Sequence, residues 1–171
     1  QISDLLLTPS RDADKNLLRE GIIPEKIRFV GNVMIDTLVR LLPKAEDRWT
    51  SLRDQYHLER FILVTLHRPS NVDEPDTLSE IMAALMEISS QIPVLFPVHP
   101  RTRSRISNLT MNHHNDYLLL TEPMGYLDFL ALQMHAALLL TDSGGIQEET
   151  TYLGVPCLTA RPNTERPVTV S

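Results

Sequence analysis

One short stretch of this sequence has the residue types and spacing of an anion-binding turn. An apolar run at residues 138–140 is followed by Ser143, Gly144 and Gly145, after which residues 146–153 resume a helical pattern. We interpret this stretch as a strand, a glycine turn and a helix, which aims the unpaired N–H groups of the first helical turn beyond the sheet edge. The Ser143 hydroxyl can bind a phosphate oxygen there. Taken alone, the stretch is explained equally well by a cap on a buried helix.

The elements around this turn alternate regularly from residue 61 onward. Apolar runs of strand length are separated by segments of helix length, which predicts a parallel sheet covered on both faces and therefore a doubly wound α/β fold. The predicted strands are residues 61–66, 94–98, 117–120, 138–140 and 155–158, and the predicted helices are residues 77–90, 102–109, 126–135 and 146–153.

The start of the chain has a different organisation. Residues 4–7, 11–20 and 27–30 read as a β-α-β piece, which is too small to form a sheet alone. We therefore place a domain boundary between residues 31 and 32 and expect the chain to be a portion of a longer protein. Beyond this boundary we expect a helix at residues 33–42, which Pro43 ends, and a second helix at residues 46–56.

Ligands of parallel sheets bind outside the carboxyl ends of the strands, and here those ends are polar. The residues concerned are His67-Arg68, His99, Glu122, Asp142-Ser143 and Arg161, with Arg166 close behind. A histidine at a strand end can donate to a phosphate or a sugar hydroxyl, or move a proton near neutral pH. Arginine suits phosphate through bidentate bonds, although surface arginines usually form only salt bridges.

Two adjacent carboxylates in the last predicted helix differ in the face they occupy. Glu149 lies four residues after Gly145 and shares its face, whereas Glu148 points about a hundred degrees away. A carboxylate accepts hydrogen bonds, and the two hydroxyls of a ribose form a natural donor pair. We therefore predict that Glu149 binds a ribose and that Glu148 has a structural role, although either charge is also favourable near a helix start without a ligand.

Composition and missing motifs narrow the function further. The net charge of −6 argues against nucleic acid and anionic membranes as partners, and we find neither a membrane span nor a signal peptide. The single Cys157 excludes an internal disulfide and suggests a reduced, cytoplasmic protein. Dinucleotide, P-loop, metalloprotease and hydrolase motifs are absent from the sequence. We therefore predict no metal and no cofactor.

Several segments together resemble the non-hydrolysing UDP-N-acetylglucosamine 2-epimerase family. The match includes order and spacing and extends over nearly the whole chain. The segments are residues 61–71 (FILVTLHRPSN), 96–100 (FPVHP), 122–130 (EPMGYLDFL), 140–149 (LTDSGGIQEE), 153–156 (LGVP) and 164–167 (TERP). The resemblance implies a glycosyltransferase-B-like fold of two Rossmann-like domains, with residues 1–31 ending the first and residues 32–171 forming a truncated second domain that binds UDP.

The resemblance also implies roles for individual residues. Ser143, Gly144, Gly145 and Glu149 would hold the diphosphate and the ribose, in agreement with the interpretation above. Arg166 would bind phosphate, and His67 would be an active-site histidine near the diphosphate. Phe129 would lie beside the uracil, or would pack within its own helix.

Two further positions match residues that bind a second, activating substrate molecule in bacterial members of this family. These positions are Arg68 and His99. Many members have Arg-Glu after the His-Arg pair, whereas this chain has Pro69-Ser70, so the loop shape and the allosteric behaviour are open.

The activity that the resemblance implies is the interconversion of UDP-N-acetylglucosamine and UDP-N-acetylmannosamine through elimination and re-addition of UDP. The carboxylates expected to move the C2 proton belong to the amino-terminal domain, so we expect these 171 residues to be inactive alone. The longer protein is expected to be a homodimer. A glycosyltransferase of the same fold and a non-catalytic nucleotide-sugar-binding module remain alternatives.

Overall fold

The computed structural model describes residues 3–109, 116–164 and 169. The chain divides into two compact units, residues 1–40 and 41–171. In the first unit, strands β1 (Leu6–Thr8) and β2 (Ile27–Phe29) pair with each other in parallel. Helix α1 (Arg11–Arg19) connects them along the chain. The predicted β-α-β piece is therefore present in this unit.

Helix α2 differs from the prediction because it runs unbroken from Val33 to Tyr56, with Pro43 in its interior. A proline there removes one backbone hydrogen bond and costs about 3 kcal/mol, which is why we expected two helices. Burial on both sides of Pro43 opposes that cost, since Leu38 and Ala45 are fully buried. The division between the two units falls within this helix, nine residues beyond the expected boundary (40 against 31). The assignment of residues 1–31 and 32–171 to two domains stays a prediction.

The described part of the second unit contains a five-stranded parallel sheet in the order β5-β4-β3-β6-β7. Its strands are β3 (Ile62–Thr65), β4 (Val94–Pro97), β5 (Leu118–Thr121), β6 (Leu138–Thr141) and β7 (Cys157–Thr159). The connecting helices are α3 (Pro69–Val72), α4 (Pro75–Ser89), α5 (Pro100–Ser107), α6 (Tyr126–His135) and α7 (Gly144–Leu153). The predicted α/β fold with a parallel sheet is confirmed.

Alternating side chains of this sheet form the core. On one face, Val64, Val94 and Phe96 join Leu78 and Met82 of α4 in a buried cluster. Leu63, Leu95 and Leu139 belong to the alternate positions of their strands and therefore face the opposite side of the sheet, where they are also completely buried. Both faces of the sheet are therefore covered, as expected for parallel strands joined by helical crossovers.

Trp49 of α2 stacks against Phe61 and His135. The ring centroids of Trp49 and Phe61 are 6.1 Å apart, and those of Trp49 and His135 are 4.1 Å apart. His135 also lies 3.0 Å from a carboxylate oxygen of Glu46. These contacts hold the second half of α2 against the end of α6, within the unit of residues 41–171.

Smaller departures from the prediction occur at element ends. The short helix α3 was not predicted, and β7 begins two residues later than expected, at Cys157. Cys157 is half-buried, and burial raises the pKa of its thiol. Gly154 ends α7 in the left-handed conformation, with φ of +71°. No helix in the described ranges is both long and apolar enough to span a membrane.

Candidate functional site

The candidate site lies where the strand order of the sheet reverses. From β3 the chain moves outward through β4 to β5 and then returns to β6, on the other side of β3. The carboxyl ends of β3 and β6 are adjacent, with Thr65 opposite Thr141. The two connections leave this point in opposite directions, and such a reversal of strand order is the usual ligand position in parallel sheets.

Asp142 connects the two strand ends at this point. Its side chain is completely buried, and its Oδ2 atom accepts hydrogen bonds from the backbone N–H of Arg68 at 2.8 Å and from the Asn71 amide at 2.9 Å. The backbone N–H of His67 donates to the same carboxylate at 3.1 Å from Oδ2 and 3.2 Å from Oδ1. A buried carboxylate is costly unless it is hydrogen-bonded, so this set of donors explains how Asp142 is tolerated.

The imidazole of His67 is held by the same carboxylate. His67 Nδ1 lies 2.8 Å from Asp142 Oδ1, while 59% of the His67 side chain remains exposed. The ring is therefore anchored on one edge and open on the other. His67 thus stands near the carboxyl end of β3, where the sequence placed it, and its role toward a ligand stays a prediction.

Arg68 and Asn71 extend the contacts across the strand ends. The Arg68 Nε group donates to the backbone carbonyl of Asp142 at 3.3 Å. The Asn71 amide, which is nearly buried, also donates to the carbonyl of Ala160 after β7 at 3.0 Å. The loop after β3 is thus tied to the ends of both β6 and β7, which fixes its shape despite Pro69 and Ser70.

The glycine turn begins helix α7 directly after Asp142. Ser143 is the cap residue, with extended backbone, and its N–H donates to the Thr141 hydroxyl at 3.0 Å. Among the described residues the Ser143 side chain makes no capping hydrogen bond, so the capping role considered for this hydroxyl is not observed. The N–H groups of Gly144, Gly145 and Ile146 stand too early in α7 to bond to a carbonyl of the preceding turn of the same helix.

Glu149 lies on α7, about 6 Å along the helix axis from Gly145. It is 4% exposed and accepts a hydrogen bond from the Tyr126 hydroxyl at 3.0 Å. Its second oxygen, Oε2, has no hydrogen-bond partner in the described part of the chain. Burial raises the pKa of Glu149, and the negative charge of Glu148 raises it further. Hydrogen bonding from Tyr126 and the proximity of Gln133 lower the same pKa, but by less. A half-satisfied buried carboxylate is suited to accept a hydrogen bond from a ligand.

Gln133 and Tyr126 of α6 complete the surroundings of Glu149. Gln133 is completely buried and lies close enough to Glu149 to favour its charged form, yet neither of its amide atoms meets hydrogen-bond geometry with a described residue. Burial, and then the negative charge of Glu149, raise the pKa of Tyr126. The Tyr126 hydroxyl therefore stays protonated and remains a donor.

The other predicted site residues have different surroundings. His99 is exposed at the start of α5, where its Nδ1 atom accepts from the backbone N–H of Arg101 at 3.3 Å. Phe129 lies partly buried in the first half of α6. Arg166 lies outside the described residues. No cluster of potential metal ligands occurs in the described ranges.

Three residues of this site were given no role of their own from the sequence, although Asp142 was named among the polar residues at the strand ends. The contacts of these residues, Asp142, Asn71 and Tyr126, are with partners that are distant in the sequence. His67 and Asp142, for example, are 75 positions apart. One signal was available for Asp142, because a carboxylate directly after a buried strand needs donors from a neighbouring strand end.

Comparison with known proteins agrees with this architecture. The chain matches the family model described as UDP-N-acetylglucosamine 2-epimerase over residues 1–171. A UDP-N-acetylglucosamine 2-epimerase of Methanococcus maripaludis is 39% identical over 99% of this chain and 48% of its own length. A UDP-2,3-diacetamido-2,3-dideoxy-D-glucuronate 2-epimerase of Pseudomonas aeruginosa is 40% identical over 96% of this chain and 46% of its own length.

A solved structure gives the same result. The crystal structure of the Methanocaldococcus jannaschii UDP-GlcNAc 2-epimerase in complex with UDP-GlcNAc and UDP superposes with a TM-score of 0.83 at 40% identity, over 99% of this chain and 48% of that one. The chain thus spans about half the length of the relatives it matches. It belongs to the UDP-N-acetylglucosamine 2-epimerase family.

Proposed function

We propose that this chain supplies the UDP-binding half of an enzyme that interconverts UDP-N-acetylglucosamine and UDP-N-acetylmannosamine. The observation that carries the proposal is the junction of His67 with the Ser143 turn, which Asp142 ties together at the point where the strand order reverses. Family membership supports the same ligand, because the similar Methanocaldococcus protein was crystallised with UDP-GlcNAc and UDP.

In this proposal the diphosphate binds at the start of α7. The N–H groups of Gly144 and Gly145 and the hydroxyl of Ser143 would donate to its oxygens, supported by the positive end of the helix dipole. Arg166 would add a bidentate contact. Glycine suits these positions because a side chain would stand between the backbone and the ligand.

The nucleoside would extend from the turn toward the Glu149 carboxylate. Glu149 has an oxygen without a partner in the described residues, which a ribose hydroxyl can fill. Phe129 belongs to the same helix as Tyr126, the partner of Glu149, and would lie beside the uracil. These roles follow the family motifs and agree with the burial of Glu149.

The proposed reaction eliminates UDP from the sugar and adds it back after the C2 proton has returned on the other face. The C2–H is a poor acid, so a positioned base and stabilisation of the departing diphosphate are both needed. The residues described here serve the second requirement. We therefore expect the 171-residue chain to bind UDP and to show no epimerisation, and we expect turnover from a longer protein that includes the amino-terminal half.

The relatives share the UDP portion of their named substrates and differ in the sugar. Relatives named for two different UDP sugars are similarly identical to this chain, at 39% and 40%. The groups that we assign to the ligand bind uridine diphosphate, which both substrates share. Arg68 and His99 remain candidates for binding a second, activating substrate molecule, and a homodimeric, cytoplasmic enzyme remains our expectation.

Calorimetric titration with UDP tests the binding proposal on the 171-residue chain, with CMP as a control ligand that lacks both uracil and the second phosphate. We expect saturable binding of UDP that is at least about tenfold tighter than that of CMP, equivalent to about 1.4 kcal/mol. Equal affinity for the two ligands, or no binding, would contradict the proposed site.

The reaction is tested on the longer protein by incubation with UDP-N-acetylglucosamine and analysis of the product sugar. Formation of the manno epimer supports the epimerase. Transfer of the sugar to an added acceptor would indicate a glycosyltransferase instead, and UDP binding without any product would indicate a non-catalytic module. Epimerisation by the 171-residue chain alone would overturn the expectation that the proton-moving groups lie elsewhere.

A further inference from the structure

Two histidines lie two residues beyond the ends of adjacent strands, and each ring has one nitrogen engaged by a neighbouring group. His67 follows β3 and His99 follows β4, and both are exposed. In each ring Nδ1 is the engaged atom, whereas Nε2 lies on the opposite edge. What Nε2 offers to a ligand therefore depends on whether the partner of Nδ1 accepts or donates a hydrogen.

The partner of His67 can only accept. Asp142 is a buried carboxylate, and its Oδ1 atom lies 2.8 Å from His67 Nδ1. The hydrogen of this bond must come from the ring, so the neutral imidazole carries it on Nδ1. Nε2 is then left with a lone pair. The neutral His67 can accept a hydrogen bond or a proton from a ligand but cannot donate one.

The partner of His99 can only donate. The backbone N–H of Arg101 points to His99 Nδ1 at 3.3 Å, at the start of α5. Nδ1 must supply the lone pair, so the neutral ring carries its hydrogen on Nε2. The free edge of His99 is therefore a hydrogen-bond donor, suited to a phosphate or carbonyl oxygen.

We propose that Asp142 is a positioning residue that fixes His67 in the Nδ1–H tautomer, and that the two strand-end histidines hold opposite tautomers. The sheet edge then offers a ligand an acceptor at His67 Nε2 and a donor at His99 Nε2. In its neutral form His67 has no hydrogen at Nε2 to donate to a phosphate oxygen, so in that form its ligand partner is a hydroxyl or N–H group, such as those of an N-acetyl sugar. The tautomers do not depend on the proposed function, but this assignment of a ligand partner does.

Long-range ¹⁵N–¹H correlation spectra of the histidine rings test the tautomers without a ligand, at roughly pH 9, where imidazole is ordinarily neutral. The variants His67→Asn and His99→Asn assign the spectra, because each of them removes the signals of one ring. Asparagine can retain the Nδ1-side bond at each position, as a donor to Asp142 or as a helix cap, so both variants should remain folded. We expect the Nδ1–H pattern for His67 and the Nε2–H pattern for His99. The same pattern in both rings, or Nε2–H in His67, would overturn the proposal.

Asp142→Asn tests whether Asp142 is the cause of the His67 tautomer. We expect the His67 ring to change toward the Nε2–H pattern while His99 keeps its own, which serves as the internal control and also shows that the sheet edge is folded. If His67 keeps the Nδ1–H pattern in a folded variant, Asp142 does not position the ring.

Titration with UDP-N-acetylglucosamine separates this inference from the proposed function. If the amide resonances of Gly144 and Gly145 shift and those of the His67 ring shift with them, both stand. If the glycine amides shift and the His67 ring does not, the ligand assignment of His67 fails and the nucleotide site stands. If neither responds, the proposed function fails, and with it the ligand assignment of His67.

Discussion

Two buried carboxylates of the second unit differ in how completely their hydrogen bonds are satisfied. Asp142 accepts hydrogen bonds on both oxygens, from backbone and side-chain donors of the loop after β3. Glu149, seven residues further along the chain, is bonded through one oxygen to Tyr126, while Oε2 has no partner in the described part of the chain.

The difference indicates which carboxylate supports the fold and which is available to a ligand. A buried acceptor with its donors in place loses nothing further to desolvation and holds its neighbours rigidly. A buried acceptor with an empty position has lost water without replacing it, and a ligand donor can restore the missing bond. We therefore propose that Asp142 supports the structure of the site and that Glu149 binds the ligand.

The largest effect is expected from Asp142→Ala. The substitution leaves the backbone N–H of Arg68 and the buried amide of Asn71 without their acceptor, and an unsatisfied buried donor costs about 1–3 kcal/mol. We expect a loss of about 3–5 kcal/mol in the free energy of unfolding, measured by urea denaturation. Asp47→Ala, at an exposed position of α2, is the matched control and should change it by about 0.5 kcal/mol or less. A similar small loss in Asp142→Ala would contradict the structural role.

A smaller effect is expected from Tyr126→Phe. The variant removes the donor to Glu149 Oε1, so that neither oxygen of the carboxylate keeps a hydrogen bond to a described residue, which costs about 1.5 kcal/mol of stability. Because Tyr126 lowers the pKa of Glu149, its removal should raise that pKa further. Urea denaturation measures the first effect, and carboxyl ¹³C titration measures the second. Tyr152→Phe, an exposed tyrosine of α7, serves as the control.

The pH dependence of the free energy of unfolding tests whether the pKa of Glu149 is raised in the folded protein. Burial raises the Glu149 pKa in the folded protein above its ordinary value of 4.5, so the folded state keeps the proton to higher pH than the unfolded chain does. The resulting stability is fully present below about pH 4.5 and is lost as pH rises through the raised pKa. We expect Glu149→Gln to lack this loss when denaturation is measured between about pH 4 and 8. An identical pH profile for the wild type and the variant would contradict the raised pKa.

The smallest effect on stability is expected from Ser143→Ala. A serine that caps a helix typically contributes about 1 kcal/mol, but the Ser143 side chain makes no capping bond among the described residues. We therefore expect a change of less than about 0.5 kcal/mol, together with a loss of UDP affinity of roughly tenfold if the hydroxyl binds phosphate. Ser79→Ala on α4 is the control for both measurements. A large loss of stability with unchanged UDP affinity would assign Ser143 to the fold alone.

Local sequence predicted the elements that carry the site better than it predicted the contacts within it. Helix α6 has the predicted bounds of Tyr126 and His135, and α7 begins at the glycines that marked the turn. The prediction failed at Pro43, because the rule that proline ends a helix is local and the burial that opposes it comes from packing.

The contacts of the site depend on the strand order, which sequence periodicity does not contain. Asp142 meets His67 because β6 returns to the side of β3, although 75 residues separate the two positions. The spacing of Gly145 and Glu149 predicted a shared helix face, but it gave no indication that Tyr126 would bond to Glu149. Local patterns thus predicted which polar groups stand at the carboxyl edge of the sheet, and the tertiary arrangement decided which of them are bonded to one another.

The central claim is that the glycine turn of α7 binds a uridine diphosphate, and a ¹H–¹⁵N correlation spectrum recorded during titration with UDP tests it most directly. The chain has only six glycines, so their amides are readily assigned. We expect the amides of Gly144 and Gly145 to shift in a saturable manner while those of Gly21 and Gly31, in the first unit, stay unchanged. Saturable shifts elsewhere with Gly144 and Gly145 unaffected, or no shifts at all, would contradict the account.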